Sequence, residues 1–474
     1  MKSGSTIGIR GRTLGVLSVA ALGLTGLVVT ASPATAVDVN CGDVLTTSVT
    51  LTHDIGPCPI GGPSGGNGLV IGASDITVNL GGYSIIGANA MNFTPMEQVG
   101  VLIKGVRNVT VLNGHVRDFD AGVLINKGSK NNLRNLTVHD NVNHAMKTGT
   151  INKCNYGDGI LVQGSNNNVI KFNQVHGNGP FSGISLYANS DNNIVSGNRV
   201  YDQNVANELP PAGSLQNGPC GPFSATATGV GRLYQDVGIR VEGPGADNNQ
   251  VLSNQVTDNQ LNGIAIHGYI CWVGTGGTPP PGAPPVGSPN TGNLVQANNV
   301  RRNGFQPDGA TIDGIGILRQ GPFGNVTCAA NSNSIIGNAS QANARDGIFV
   351  PPTGDPSIPA NNTVNQNTTN NNARDGVHVD GPFTVCPFGQ FNPTPPNFCN
   401  VDRVPYPGSN NNTLVSNKGT GNDVLKSDIR VGNDGWDGNP SCDANVWKQN
   451  IFGTGNQPCV KANFGTGTVT GPIP

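Results

Sequence analysis

The sequence predicts an all-β solenoid in which short strands wind into a parallel coil, and three observations predict it. The 474 residues include 69 glycines and are 36% hydrophobic but only 5% aromatic, so a thick core of large side chains is not available. Apolar residues alternate in short bursts, as in "DGILVQGSNNNVIKFNQVHGNG" from Asp158 onward. Related stretches recur along the chain, with a shortest spacing of 22 residues between Gly100 and Gly122. Such self-similarity is typical of repeat architectures.

Each repeat contains three strand-like pieces, a glycine followed by alternating apolar residues and then two pieces of the form N-x-V or N-x-I. Strands this short are not stable alone, but in a coil each pairs in parallel with the equivalent strand of the next repeat. We expect about ten coils around a narrow core of Val, Ile and Leu. Asn is expected at the corners because it tolerates left-handed backbone conformations. A β-propeller is the alternative, but its units are longer and carry aromatic signatures.

The repeat unit resembles the right-handed parallel β-helix family of the pectin-lyase-like superfamily over about residues 67–422. Two flanking stretches resemble a largely uncharacterised secreted bacterial subgroup with this fold: the lead-in that begins "CGDVLTTSVTLTHDIGPCPIGG" at Cys41, and the tail "NDGWDGNPSCDANVWKQNIFGTGNQPC" from Asn433. The resemblance implies an extracellular β-helix. The expected organisation is a signal peptide at 1–36, an N-terminal cap at 37–66, the coil at 67–422 and a C-terminal cap or tail at 423–474.

The N-terminus has the pattern of an export signal. Lys2, Arg10 and Arg12 precede an apolar stretch, and the small residues Ala34–Ala36 form a cleavage site, so the mature chain is expected to start at Val37. An uncleaved membrane anchor is the alternative, although no later stretch is long and apolar enough to span a bilayer. The formal net charge of −2 predicts no basic surface for nucleic acid. We expect a secreted monomer without a nucleic-acid partner or a membrane attachment after cleavage.

Ten cysteines follow the expected cleavage site, and an even number in an exported chain predicts five disulfides. They are Cys41, Cys58, Cys154, Cys220, Cys271, Cys328, Cys386, Cys399, Cys442 and Cys459. Cys41–Cys58 and Cys442–Cys459 would tie the two ends of the coil. The other six would join loops, and the sequence leaves their connectivity open. The sequence contains no C-x-x-C pair, so it does not predict a structural zinc site.

Long insertions flank the first strand of the repeat. Four follow it, after Ile266, Ile317, Val350 and Val379, and two precede it, at 141–156 and 204–235. Loops on both sides of one strand stack would form a groove on a rigid scaffold, which is a common place for function.

The outward positions of this strand stack supply the candidate site. Cleavage of a uronate-containing polysaccharide by elimination needs a cation against the carboxylate, a base for the C5 proton and an acid for the leaving oxygen. Arg240 or Arg319 fits the first role, and His267 or Tyr187 fits the base or acid. The expected catalytic residues are Arg240, Glu242, His267, Tyr187 and Arg319, and the expected substrate-binding residues are His378, Asp380, Gln163 and Lys104. Hydrolysis would need two facing carboxylates, and the outward pair Glu242 and Asp380 is several coils apart.

A second stripe of polar residues follows the last strand of the repeat. His139 and His176 would be neighbours on adjacent coils beside Asp140, but without a tighter spacing motif they assign no metal ligand. Acids that precede strand glycines, including both "RDG" motifs, are interpreted as caps of backbone N–H groups. Calcium binding by these acids stays open, and the sequence requires no cofactor.

Motifs of the best-known enzymes with this fold are absent. The chain lacks the N-T-D, D-D, G-H-G and R-I-K set of polygalacturonase-like enzymes, the R-x-P-x-x-R of pectate-lyase-like enzymes and the D-P-H-D of alginate epimerases. The leading hypothesis is recognition of an extracellular polysaccharide, with lyase or epimerase activity on uronate-containing glycans. The alternative is a non-catalytic surface or interaction protein on a rigid β-helix scaffold.

Overall fold

The computed structural model describes residues 35–36, 38–88, 98–142, 157–179, 181–203, 237–243, 245–268, 290–305, 312–318, 330–351, 360–381, 383–385, 404–406, 408–424, 432–439 and 445–460. Most of the expected signal peptide, most of the inserted loops, Arg319 and seven cysteines lie outside these residues. Those cysteines are Cys154, Cys220, Cys271, Cys328, Cys386, Cys399 and Cys442.

The described residues form strands and one 3₁₀ turn at Pro63–Gly66. In chain order the strands are β1 (Thr35–Ala36), β2 (Asp43–Leu45), β3 (Val49–Thr50), β4 (Leu69–Ile71), β5 (Thr77–Asn79), β6 (Ser84–Ile86), β7 (Val99–Lys104), β8 (Thr110–Arg117), β9 (Ala121–Asn126), β10 (Asn132–His139), β11 (Ile160–Gln163), β12 (Val169–Lys171), β13 (Gln174–His176), β14 (Ser182–Tyr187), β15 (Ile194–Ser196), β16 (Arg199–Tyr201), β17 (Val237–Glu242), β18 (Gln250–Leu252), β19 (Gln255–Thr257), β20 (Ile264–His267), β21 (Leu294–Gln296), β22 (Asn299–Arg301), β23 (Ile315–Leu318), β24 (Ser334–Ile336), β25 (Ala339–Gln341), β26 (Ile348–Val350), β27 (Thr363–Asn365), β28 (Thr368–Asn370), β29 (Val377–Val379), β30 (Phe383–Val385), β31 (Val404–Tyr406), β32 (Thr413–Val415), β33 (Lys418–Thr420), β34 (Gly435–Asp437), β35 (Val446–Lys448) and β36 (Ile451–Phe452).

Two parallel sheets run along the coil. Sheet 1 has one strand per coil and consists of β2, β4, β7, β9, β11, β14, β17, β20, β23, β26, β29 and β34. Sheet 2 contains the other strands except the antiparallel pair β30 and β31, and most coils contribute two strands to it, as β12 and β13 do. Each strand pairs with its counterpart in the next coil, so the chain is a parallel β-helix, as predicted.

The stack extends beyond residues 67–422 at both ends. Ten strands of sheet 1, from β4 to β29, lie within that range, and β2 and β34 add one strand before and one after it. The expected cap regions therefore contribute strands to the coil itself. Strand β1 lies inside the expected signal peptide, so cleavage after Ala36 would leave β3 at the end of sheet 2.

The core is a stack of aliphatic side chains along the coil axis. In sheet 1, Val123, Ile160, Ile184 and Ile239 occupy one register position on four successive strands, and none is exposed to solvent. Burial of such a side chain contributes about 1.5–3 kcal/mol, so many small contributions replace a thick core. The apolar alternation predicted this arrangement.

Asparagine has two roles, of which the sequence analysis recognised only one. Asn167, Asn192 and Asn248 have φ values of 59°, 57° and 55° and turn the corners as expected. Other asparagines are buried and form ladders from coil to coil. At Asn198, Nδ2 donates to Oδ1 of Asn254 over 3.0 Å and to the Ile170 carbonyl over 2.9 Å, and the backbone N–H donates to the same Oδ1 over 2.9 Å. These ladders satisfy the buried backbone and amide groups of the corners.

One such ladder crosses eight coils, through Asn173, Asn198, Asn254, Asn298, Asn338, Asn367, Asn417 and Asn450.

The described ends of the coil agree in part with the expected caps. Cys41 and Cys58 form a disulfide, and Cys459 is also disulfide-bonded, although its expected partner Cys442 lies outside the described residues. Trp447 and Phe452 are buried with their rings 6.2 Å apart. Trp436, in contrast, alternates with the inward residues of β34 and lies 6.2 Å from the ring of His378 on the outer face of sheet 1. No described helix is long and apolar enough to cross a membrane.

Candidate functional site

Register along sheet 1 brings four of the expected catalytic residues together. Tyr187 of β14 pairs with Glu242 of β17, and His267 follows Ile266, which pairs with Val241. Adjacent strands lie about 4.8 Å apart, so these side chains share one patch of the outer face. We call this patch the sheet-1 polar cluster, and it comprises Asp158, Ser185, Tyr187, Arg240, Glu242 and His267.

Arg240 and Glu242 form an ion pair within one strand. The two residues are separated by one position, so both side chains project from the same face of β17. Their side chains are only 6% and 5% exposed. Two charges at that depth must compensate each other, because an uncompensated buried charge is strongly destabilising. From the sequence these residues have independent roles, whereas the structure couples them.

His267 supplies a neutral imidazole at the edge of the cluster. Both ring nitrogens are shielded from solvent and have no hydrogen-bond partner among the described residues. Burial, together with the nearby Arg240 charge, holds the pKa of His267 well below its usual value of 6.5. The ring is therefore unprotonated at neutral pH, which is the state that a general base requires.

Asp158 is the member of the cluster that the sequence analysis missed. It precedes the strand glycine Gly159 and was interpreted only as a corner cap. The carboxylate accepts a backbone hydrogen bond from Ser182, as a cap does, but its Oδ1 also accepts a 2.7 Å hydrogen bond from Ser185 Oγ. Burial raises the pKa of Asp158 to about 7, against the opposing effect of Ser185. The sequence signal that pointed to Asp158 was its partner Ser185, a small polar residue at a position where the two preceding coils have leucine.

The other expected residues lie away from this cluster. His378 is four strands from Glu242 in sheet 1, about 19 Å at 4.8 Å per strand, and Asp380 directly follows the same strand. Lys104 is exposed and also four strands away, in the opposite direction. Gln163 is nearer, two strands from Glu242, and accepts a 3.2 Å hydrogen bond from Asn126. Arg319 lies outside the described residues.

Part of the outer face of sheet 1 is apolar and buried. Leu124 and Leu161 are each only 3% exposed and pack with Val99 and Ala121. Tyr187 is packed against this group and so joins it to the sheet-1 polar cluster.

The acids of the later coils are caps, as the sequence analysis interpreted them. Asp313, Asp346 and Asp375 are fully buried, and each accepts a backbone N–H from the next corner over 2.8–3.2 Å. Arg345 also binds Asp313 through Nε at 2.7 Å and Nη2 at 2.6 Å. Because guanidinium and backbone N–H groups occupy these carboxylates, this ladder does not fit the calcium site that the sequence left open.

His378 belongs to this ion network. Its Nδ1 lies 2.8 Å from Asp375 Oδ2, and its ring packs 5.2 Å from that of Phe349. Burial opposes protonation, but Asp346 and Asp375 outweigh it and raise the pKa of His378 above its usual value. These contacts hold His378 in the ion network, and its expected substrate-binding role stays a prediction.

Comparison with known proteins agrees with the coil. The chain matches the family model described as right handed beta helix region over residues 64–200 and 100–270. No curated protein sequence matches it significantly.

Among solved structures the chain is similar to the mannuronan C-5 epimerase A-module of Azotobacter vinelandii, with 13% identity and a TM-score of 0.46, over 81% of this chain and 83% of that one. It is similar to the catalytic domain of a GH87 α-1,3-glucanase at 12% identity and a TM-score of 0.49, over 86% of this chain and 62% of that one. It is also similar to an alginate lyase from Paenibacillus sp., with 13% identity and a TM-score of 0.33, over 75% of this chain and 87% of that one. At such identities and TM-scores these likenesses say nothing about the activity of this chain. The parallel register of both sheets gives the described chain the fold of a right-handed parallel β-helix, and the family match over residues 64–270 agrees with this fold.

Proposed function

We propose that this protein acts on an extracellular polysaccharide that contains uronic acids, and that the sheet-1 polar cluster transfers protons at the sugar ring. The observation that carries the proposal is the environment of Asp158 and His267. Burial raises the pKa of Asp158 and lowers the pKa of His267, and the charge of the buried Arg240–Glu242 pair acts on the same patch. Oppositely perturbed acid and base groups within one patch are typical of catalytic sites.

The chemistry that suits this set is β-elimination or C5 epimerisation. In elimination a base removes the C5 proton, the cation stabilises the resulting enolate, and an acid protonates the leaving oxygen as the C4–O bond breaks and the C4=C5 bond forms. Epimerisation shares the first step and returns a proton to the opposite face. In this scheme His267 is the base, Arg240 faces the uronate carboxylate, and Tyr187 is the acid.

The remaining members of the cluster support these roles. Glu242 balances the charge of Arg240 until a uronate carboxylate arrives. Asp158 is near enough to Arg240 and Glu242 for their charges to affect its pKa, and it holds a proton that it can exchange near neutral pH. The half-buried Tyr187 and Gln163 form the accessible edge that a polysaccharide would meet first, whereas the ring nitrogens of His267 are shielded from solvent in the free protein.

Hydrolysis by the outward pair Glu242 and Asp380 is disfavoured by distance. Four strand spacings, about 19 Å, exceed the 6.5–9.5 Å that an inverting pair of carboxyl groups spans. The disulfide Cys41–Cys58 supports an exported location, where such a polymer is available, because disulfides persist in oxidising compartments.

The experiment that tests the proposal incubates the purified protein with a panel of polyuronates, with and without calcium. Ultraviolet absorbance detects the unsaturated product of elimination, and proton exchange at C5 in deuterated water detects epimerisation. We expect one of these signals, its loss in His267→Ala, and its retention in His53→Gln, which changes an exposed histidine of the N-terminal region. Absence of both signals with every polymer would leave the non-catalytic scaffold as the better explanation.

A further inference from the structure

We propose that His139, Asp140 and His176 form a binding site for a divalent transition-metal cation on the outer face of sheet 2. The site is separate from the sheet-1 polar cluster and does not depend on the proposed function. One ligand atom from each of the three residues lies within 4.8 Å of the others.

Register brings the two histidines together. His139 of β10 pairs with His176 of β13, and their rings stack 5.0 Å apart with an angle of 15° between the planes. The other face of His176 stacks on Tyr201 at 4.7 Å, and the guanidinium of Arg199 lies 4.5 Å from the Tyr201 ring centre. Because the faces of these rings already contact each other, the stripe is not a platform for stacking sugars. What the two imidazoles can still offer is the nitrogen atoms on their edges.

A glycine leaves the space that the third ligand uses. Asp140 occupies a corner position that the neighbouring coils fill with Asp118, Asp202 and Asp258, all with positive φ, whereas the coil of His176 has Gly177 there. A Cβ atom at Gly177 would lie 2.6 Å from Asp140 Oδ1. The absent side chain therefore lets the Asp140 carboxylate extend over the next coil, while its Oδ2 lies 2.7 Å from His139 Nδ1.

The donor set decides the class of cation. Two imidazole nitrogens and one carboxylate oxygen suit zinc, copper or nickel, whereas calcium prefers six to eight oxygens. Ligands at about 2.1 Å in a tetrahedral arrangement lie about 3.4 Å apart, so the ligand atoms must close in by at most about 1.4 Å from their present separation of up to 4.8 Å. The side chains of His139 and Asp140 are 19% and 60% exposed, which leaves them room to do so. Solvent would complete the coordination.

Isothermal titration of the tag-free, chelator-treated protein with zinc chloride tests the site. We expect one zinc ion per chain, and at least tenfold weaker binding in both His139→Gln and His176→Gln. The matched control is His115→Gln, because His115 is on the same face, 6.2 Å from His139 between ring centres, but outside the ligand group. It should bind zinc like the wild type.

A second variant tests the space at Gly177 without removing a ligand. Gly177→Ala should displace the Asp140 carboxylate and weaken zinc binding, while circular dichroism shows that the β-helix is retained. The proposal is overturned if the wild type binds no zinc, if His115→Gln loses as much affinity as His176→Gln, or if a His139→Gln/His176→Gln double variant binds as the wild type does.

Discussion

The Ser185 hydroxyl donates a 2.7 Å hydrogen bond to Oδ1 of Asp158, which belongs to the preceding coil. This contact joins a corner cap to the sheet-1 polar cluster. Asp346 also precedes a strand glycine and is also fully buried, but Arg374 binds its carboxylate through Nε at 2.7 Å and through Nη2. The two aspartates occupy equivalent corners, yet no guanidinium of the described residues is seen to bind the Asp158 carboxylate. The pKa of Asp158 is raised, whereas the pKa of Asp346 is lowered.

Asp158→Asn should stabilise the protein near neutral pH. Because the folded pKa is about 7 and the ordinary value is 3.8, the wild type loses stability as the pH rises from about 4 to about 7, by about 4 kcal/mol at 1.36 kcal/mol per pKa unit. Asparagine keeps the acceptor oxygen and does not ionise. Thermal unfolding at pH 4 and pH 8 should show a gain in Tm at pH 8 only. Asp346→Asn is the matched control and should lower Tm at pH 8, since it removes the charge of the carboxylate that Arg374 binds most closely; equal shifts in both variants would contradict this account.

Asn298→Ala should destabilise the coil far more than the change of its neighbour. Asn298 Oδ1 accepts from the backbone N–H and Nδ2 of Asn254, and its own Nδ2 donates to the Val251 carbonyl over 2.8 Å. Each buried partner left unsatisfied costs about 1–3 kcal/mol. Asn299→Ala removes an exposed amide and should change stability by no more than about 0.5 kcal/mol. Urea unfolding of both variants checks the difference, and similar midpoints would contradict a structural role for the ladder.

His378 should make stability fall as the pH rises above neutrality. Its folded pKa is raised above 6.5, so the stabilisation from its ion pairs is fully present below pH 6.5 and is lost as the pH rises through the folded value. His378→Gln removes this contribution, and the Tm difference between wild type and variant should shrink between pH 6 and pH 9. A constant difference would mean that packing against Phe349, rather than charge, explains the effect.

The repeat pattern was sufficient to predict the fold because period-two alternation and recurrent glycines follow from the coil itself. It was also sufficient to predict that one face carries Tyr187, Arg240, Glu242 and His267, because register fixes their positions relative to the strand glycine. The pattern did not separate the asparagines with positive φ, such as Asn167, from those in ladders, such as Asn173. Both occur beside strand ends, and their burial and backbone conformation are apparent only in the structure.

Electrostatic environment was the other part that spacing did not predict. Asp158 and Asp346 have the same sequence context, an acid before a strand glycine, but one packs against a serine and the other against an arginine from the next coil. His378 was expected to face substrate because its position matched Arg240. Its contacts with Asp375 and Phe349 depend on which side chains surround it, and register alone does not specify them.

The Arg240–Glu242 pair allows the catalytic proposal to be tested apart from stability. Arg240→Ala leaves Glu242 buried without its partner and should cost about 3–5 kcal/mol of folding free energy, so lost activity in that variant alone would be ambiguous.

Replacing both residues, as Arg240→Met with Glu242→Leu, removes the two charges together and should leave Tm close to the wild-type value. If the pair holds the uronate carboxylate, this folded double variant should lose at least a hundredfold in kcat/KM on the polymer that the panel identifies. His267→Gln should lower kcat by a similar factor with little change in Tm, because it removes the base and leaves the ion pair in place. A double variant that is folded and fully active would exclude the pair from catalysis and move the search to another part of the outer face of sheet 1.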